Sequence, residues 1–212
     1  MSLKIPGKGV TLESILRQPE RKPIRGTAVL CHPHPVYGGT MNNRVIFRAG
    51  KAATAAGLAA LRFNFRGVGA STGVFDEGDG EQQDVSSAVE WLYGRFPGLP
   101  MVLIGFSFGA WVGLRVAVRD PRIVALVGLG LPLNHYDFDF LTENAKPALY
   151  MVGTADEFCP LDRMERFARR LPPQSDARWI QGAGHFFDSQ IDQVQKLISD
   201  FLQDLPLEKI AP

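Results

Sequence analysis

Three short segments carry the residue types needed to attack an acyl carbon. Residues 105–109 read GFSFG and set Ser107 between two glycines; Asp156 lies in GTADEFCP and His185 in GAGHFF. A serine hydroxyl at its ordinary pKa is a poor nucleophile, so it needs a base to take its proton and an acid to orient that base. Glycines two before and two after the serine have a steric purpose. A sharp strand–turn–helix strains the serine backbone, and side chains at those positions would collide with neighbouring strand and helix. By composition alone G-x-S-x-G occurs in about one chain in fifteen. The match therefore acquires weight only from its setting, directly after an apolar run and at the head of a helical pattern.

In sites built on such a turn the partners follow in the chain order serine, acid, histidine. Ser107, Asp156 and His185 satisfy it, and both partners lie just beyond strand-like runs. The competing carboxylates are Glu157 and Asp162. Glu157 points away if its neighbour Asp156 points in, and Asp162 is better placed to start the next helix. Acyl transfer also needs N–H donors for the developing oxyanion. One is expected at Phe108, immediately after the serine, and the other in HPHPVYGGTMNN, residues 32–43. Pro33 and Pro35 have no N–H, which leaves His34 and Val36 as early candidates, and His34 is expected to supply the donor. His32 and His34 form half of a metal-type pair, but no second cluster of ligands accompanies them, so no metal is expected. Stiffening prolines and an imidazole hydrogen-bonded within the loop fit this segment better, with Gly38 and Gly39 letting the backbone turn close to the site.

The elements that must position these residues alternate. Branched, apolar runs of strand length occur at residues 27–31, Leu58–Phe63, 101–104, Ile123–Leu129 and 148–152, with weaker ones at 3–5, 10–16 and 177–180. Several are apolar throughout, as strands covered on both faces are. Between them, helical patterns occupy 43–56, 81–95, 108–119, 161–171 and 189–205. Asn42 or Asn43 can cap the first and Gly57 can end it; residues 67–80 read as a surface loop. Alternation of this kind predicts right-handed βαβ units, a mainly parallel sheet, and chemistry at the strands' carboxyl ends.

Length and composition bound the rest. At 212 residues, with 45% hydrophobic and 21% charged residues, the chain reads as one globular domain spanning 1–212. The net charge of +1 and the absence of a Lys/Arg cluster argue against nucleic acid and against a membrane-surface helix. Residues 1–10 carry no secretory apolar run, and no stretch approaches the roughly 20 apolar residues that span a bilayer. Two distant cysteines, Cys31 and Cys159, are expected to be unpaired thiols of a cytoplasmic protein. The glycine-rich loops lack a dinucleotide or Walker pattern, so no cofactor is expected.

With these residues placed, the chain resembles the α/β-hydrolase superfamily from end to end, including RFNFRGVGAS at residues 62–71. HPHPVYGGTMNN, RFNFRGVGAS, GFSFG, GTADEF and GAGHFF together are similar to small bacterial carboxylesterase-like hydrolases related to dienelactone hydrolases and short-chain peptidase-type enzymes. The resemblance implies an α/β-hydrolase fold with about eight strands, a Ser107–Asp156–His185 triad, and backbone donors at His34 and Phe108. Serine at the elbow departs from the cysteine of dienelactone hydrolases and from the aspartate of haloalkane dehalogenases. Where relatives insert a helical cap, residues 131–146 are too few for a multi-helix lid. An open site is expected, with Tyr37, Phe106, His135, Tyr136 and Phe186 as substrate-binding residues and Leu133, Phe138 and Phe140 also along its edge. The expected substrate is a small ester. Thioester, amide or peptide cleavage on the same triad, or a non-catalytic binding protein of this fold, are the competing readings. An exposed sheet edge or the Phe138 loop offers a surface on which two copies could pair as a homodimer.

Overall fold

Alternating apolar runs and amphipathic segments become a twisted sheet covered by helices on both faces, as a computed structural model of residues 3–20 and 22–207 shows. Met1 and Ser2, the first residues of the segment expected to carry no secretory run, lie outside the described residues. The strands are β1 (Leu3–Pro6), β2 (Thr11–Arg17), β3 (Gly26–Cys31), β4 (Leu58–Phe63), β5 (Met101–Phe106), β6 (Ile123–Leu129), β7 (Ala148–Gly153) and β8 (Ser175–Ile180). They lie in the order β1-β2-β4-β3-β5-β6-β7-β8. β1 and β2 join antiparallel; the pairs from β4 through β8 are parallel.

Helices α1 (Arg44–Ala55) and α5 (Ile191–Asp204) cover one face. α2 (Asp79–Arg95), α3 (Phe108–Ala117) and α4 (Leu161–Ala168) cover the other. Every residue of β3, β4, β5 and β7 is buried, which explains their mainly apolar character; the charged exception, Arg62 on β4, donates to a backbone carbonyl. Each large apolar side chain so enclosed contributes about 1.5–3 kcal/mol against the entropy of ordering the chain. Among the described residues no helix is long and apolar enough to cross a membrane.

Local chemistry sets the element ends. Asn43, not Asn42, caps α1: its Oδ1 accepts from the N–H groups of Val45 and Ile46 at 2.9 and 3.4 Å. α2 begins two residues before the predicted start, inside the glycine-rich stretch, because the Glu81 carboxylate reaches back to accept from the N–H groups of Asp76 and Gly78. β8 also begins earlier than its apolar signal: it is an edge strand, and its first residues, Ser175 and Asp176, face partly into solvent.

The register aligns the strands' carboxyl ends. Cys31 pairs with Gly105, Phe106 with Leu129, Leu129 with Met151, and Gly153 with Ile180. The loops that leave β3, β5, β7 and β8 therefore meet at one edge of the molecule. Those loops carry His34, Ser107, Asp156 and His185.

Candidate active site

Ser107 sits between β5 and α3 with φ 56° and ψ −123°, a conformation that costs about 1–3 kcal/mol for a non-glycine residue. The flanking glycines make it attainable. A Cβ on Gly105 would lie 2.6 Å from the Gly109 carbonyl oxygen, and one on Gly109 would press on the carbonyl oxygens of Cys31 and His32. The Ser107 N–H donates to Leu129 O at 2.9 Å, tying the turn to β6, while its carbonyl accepts from Ala110 and Trp111 at the start of α3. Ser107 thus stands at the N-terminus of α3, where a developing negative charge is favoured.

His185 Nε2 lies 2.9 Å from Ser107 Oγ, and its Nδ1 lies 2.9 Å from Asp156 Oδ2. Asp156 Oδ1 accepts from the Phe158 N–H at 2.9 Å, so both carboxylate oxygens are engaged and the acid is held in one orientation. With Nδ1–H donating to the carboxylate, Nε2 presents its lone pair to the serine hydroxyl. Phe106 and Phe158 flank the imidazole, with ring centroids 5.0 and 4.6 Å away. This arrangement can move a proton from a serine hydroxyl to a base whose emerging charge is met by a buried carboxylate.

The base reaches the serine by crossing the end of β6, which lies between β5 and β7. Gly130 makes that passage open. A Cβ there would lie 3.2 Å from His185 Cε1 and 2.9 Å from the Phe106 ring, and its φ of +52° disfavours other residues. Replacing Gly130 by alanine is expected to lower kcat about 10–100-fold by displacing the imidazole. Steady-state kinetics beside thermal denaturation would check this; unchanged kcat in a folded variant would refute it.

The loop after β3 is held from below. His32, fully enclosed, is bonded at both nitrogens: Nδ1 to Pro33 O at 2.6 Å and Nε2 to the Phe65 N–H at 3.0 Å. It has no free lone pair for a metal. Met41 N–H donates to Asn64 Oδ1 at 2.7 Å, and Arg62 donates to Met41 O at 2.6 Å. RFNF thus tethers the loop to the end of β4. His34 Nδ1 accepts the Val36 N–H at 3.2 Å, which removes Val36 from the two candidate oxyanion donors. Among the described residues, the backbone N–H groups of His34 and Phe108 have no protein acceptor.

Burial pulls the His32 pKa from 6.5 down to about 4, against the smaller opposing effect of its bond to Pro33. Between these values the unfolded chain binds a proton that the folded chain excludes. Stability should therefore fall as pH drops from about 6.5 to about 4, by about 3 kcal/mol in all. Denaturant titrations across that range should show the loss. His32→Gln keeps an acceptor without a titrating ring and should show a shallower one. Burial also lowers the His34 pKa, and it pushes the Cys159 thiol up to about 12. Both cysteines are free and buried, as unreactive structural cysteines are.

The hydroxyl opens into a cleft of about 670 Å³. A larger, more open groove of about 1070 Å³ lies between β1, α2 and α3, but it contains none of the converging groups. Of the predicted contact residues, Tyr37, His135, Tyr136 and Phe186 lie on the cleft wall with His34 and Phe108. Phe106 does not: it ends β5, is fully enclosed in the core, and supports the His185 ring from beneath. Leu133, Phe138 and Phe140 are also off the wall. Phe138 is 2% exposed and stacked on Phe140. The wall instead includes Pro132, Glu157 and Phe158. Phe158 stands two residues after Asp156 and packs on the base, a position the sequence marks only by its adjacency to the acid.

Known proteins place this geometry in a family. Residues 8–145 match the X-Pro dipeptidyl-peptidase (S15 family). An uncharacterised protein of Rickettsia prowazekii is 39% identical over 184 residues, covering 82% of this chain and 77% of that protein. An α/β serine hydrolase homologue from Coxiella burnetii superposes with a TM-score of 0.89 at 34% identity, over 94% of this chain and 96% of its own. A serine hydrolase without a lid from Xanthomonas campestris gives 0.89 at 30% identity, over 100% and 96%. In sequence and in fold, the chain belongs to the S15-type family of α/β serine hydrolases.

Proposed function

We propose that this chain is an esterase that cleaves small carboxylic esters through an acyl-enzyme on Ser107, a cytoplasmic enzyme built as one domain. His185 takes the serine proton as Oγ attacks the carbonyl carbon, and Asp156 stabilises the imidazolium. The N–H groups of His34 and Phe108 receive the oxyanion. His185 then protonates the departing alcohol, and water, deprotonated by the same base, releases the acid. The observation that carries this reading is the unbroken line of hydrogen bonds from Asp156 through His185 to Ser107. It opens into a cleft beside residues 131–147, whose only helical element is a 3-10 turn at Asp139–Leu141.

An open, aromatic-walled cleft accommodates short acyl groups and gives a long chain no enclosed tunnel. 4-Nitrophenyl acetate and butyrate are expected to turn over with kcat/KM about tenfold or more above the palmitate. A preference for palmitate would count against it. Peptide cleavage is a second reading, favoured by the description of the matched family. It uses the same three residues, with His185 protonating an amine. A panel of ester, thioester and alanyl-proline 4-nitroanilide substrates, on wild type beside Ser107→Ala, decides between them. The ester is expected to be the fastest.

A further inference from the structure

We infer that Glu157 biases this cleft toward substrates that carry a positive or uncharged group beside the reacting carbonyl, and against anionic ones. The inference rests on the acyl-transfer reading of Ser107 and adds to it a substrate class.

The wall of the cleft is aromatic, and no lysine or arginine lies on it. Its carboxylate is Glu157; Asp156 is enclosed behind it and already bonded to His185. Glu157 is exposed, and among the described residues its carboxylate has neither a hydrogen-bond donor nor an ion-pair partner. Its carbonyl accepts from Asn134 Nδ2 at 3.3 Å, which ties the acid loop to the opposite loop. Arg44, next to the wall residue Asn43, faces Asp188 at 3.7 Å. Arg163 keeps its charge but lies off the wall: it donates to Leu133 O at 3.1 Å, in a neighbouring pocket that Asp137 and Asp139 also line. Burial lowers the pKa of His34, which also lines the cleft.

A lone carboxylate at the mouth of an apolar cleft attracts a cation and repels an anion. Tyr37, Tyr136, Phe158 and Phe186 line the same cleft, and a ring face that a ligand meets there adds attraction of the same sign, because an aromatic face is negative. The net charge of the chain is only +1, so the charges nearest the cleft set the field at its mouth. The ligand class is an ester whose acyl or alcohol part bears an ammonium group or an uncharged group of that shape. Acyl carriers rich in phosphate are disfavoured.

Phenylboronic acids test this without requiring turnover. The serine oxygen bonds to boron, the hydroxyl proton passes to His185, and a tetrahedral boronate results. The meta-trimethylammonio, meta-tert-butyl and meta-carboxy acids present a cation, its uncharged isostere and an anion. Calorimetry at about pH 8 keeps an ordinary imidazole neutral. In low salt, the affinity ratio of the trimethylammonio to the tert-butyl acid is expected to be about three- to tenfold higher in wild type than in Glu157→Gln. The carboxy acid should gain affinity in that variant, and the difference should shrink in high salt. Glu143→Gln, the same charge change outside the cleft, should keep the wild-type ratio. Equal ratios in wild type and Glu157→Gln would overturn the role of Glu157 alone. Failure of every boronic acid to bind wild type more tightly than Ser107→Ala would overturn the acyl-transfer reading and this inference with it.

Discussion

Ser107→Ala is expected to lower kcat/KM for 4-nitrophenyl butyrate by about 10⁴–10⁶-fold without unfolding the chain. Alanine meets the same backbone strain at φ 56° as serine does, and it removes only a hydroxyl whose bond is to His185. Thermal stability should therefore stay close to wild type while a fluorophosphonate probe no longer labels the protein. His185→Ala should fall in the same range, because a serine without its base is an ordinary alcohol. The Ser107→Ala, His185→Ala double variant should be no slower than either single one, since the two residues act as a unit. Asp156→Asn is expected to lose less, because nucleophile and base remain while the tautomer and the imidazolium charge suffer. Additive losses in the double variant would show that the hydrogen-bonded line is a static feature and not the reacting one.

Asp84→Ala should destabilise the chain by about 3–5 kcal/mol. The Asp84 carboxylate is fully enclosed on α2. It accepts from Arg66 Nη2 at 2.9 Å, from Nε at 3.2 Å and from the Arg66 backbone N–H at 2.9 Å. The hydrogen bond to Asp84 raises the Arg66 pKa; an arginine side chain is protonated even without such a bond, so the guanidinium stays charged when its partner is removed. It is 11% exposed and cannot recover its hydration in place. Asp76, 3.7 Å from Nη1, compensates in part. For a chain of this size the loss should lower Tm by roughly 6–20 °C. Arg66→Met combined with Asp84→Leu should lose less than Asp84→Ala, because no charge is left buried. The same loop carries Phe75, whose ring lies 4.9 Å from that of His34. Asp84→Ala is therefore also expected to raise KM by loosening the loop that carries His34. A stability change within about 0.5 kcal/mol would refute the role given to the pair.

Ser107, with Asp156 and His185 downstream of it, could be picked out from the sequence because each signal is local. A buried strand must be apolar along its length, a tight strand–helix turn needs glycine at 105 and 109, and each partner follows its own apolar run. The eight strands and five helices of the described residues were legible for the same reason, and their ends moved where a side chain such as Glu81 reached back to cap a helix. The walls of the site were not legible in that way. Phe106 and Phe158 are both phenylalanines beside a reactive residue, yet one is enclosed beneath His185 and the other lines the cleft. Which way each ring faces depends on β6 standing between β5 and β7, and on His185 crossing over Gly130 to reach Ser107. Chain order supplies Ser107 with its partners by type. Only the packing of strands distant in sequence decides that the three side chains touch and what surrounds them.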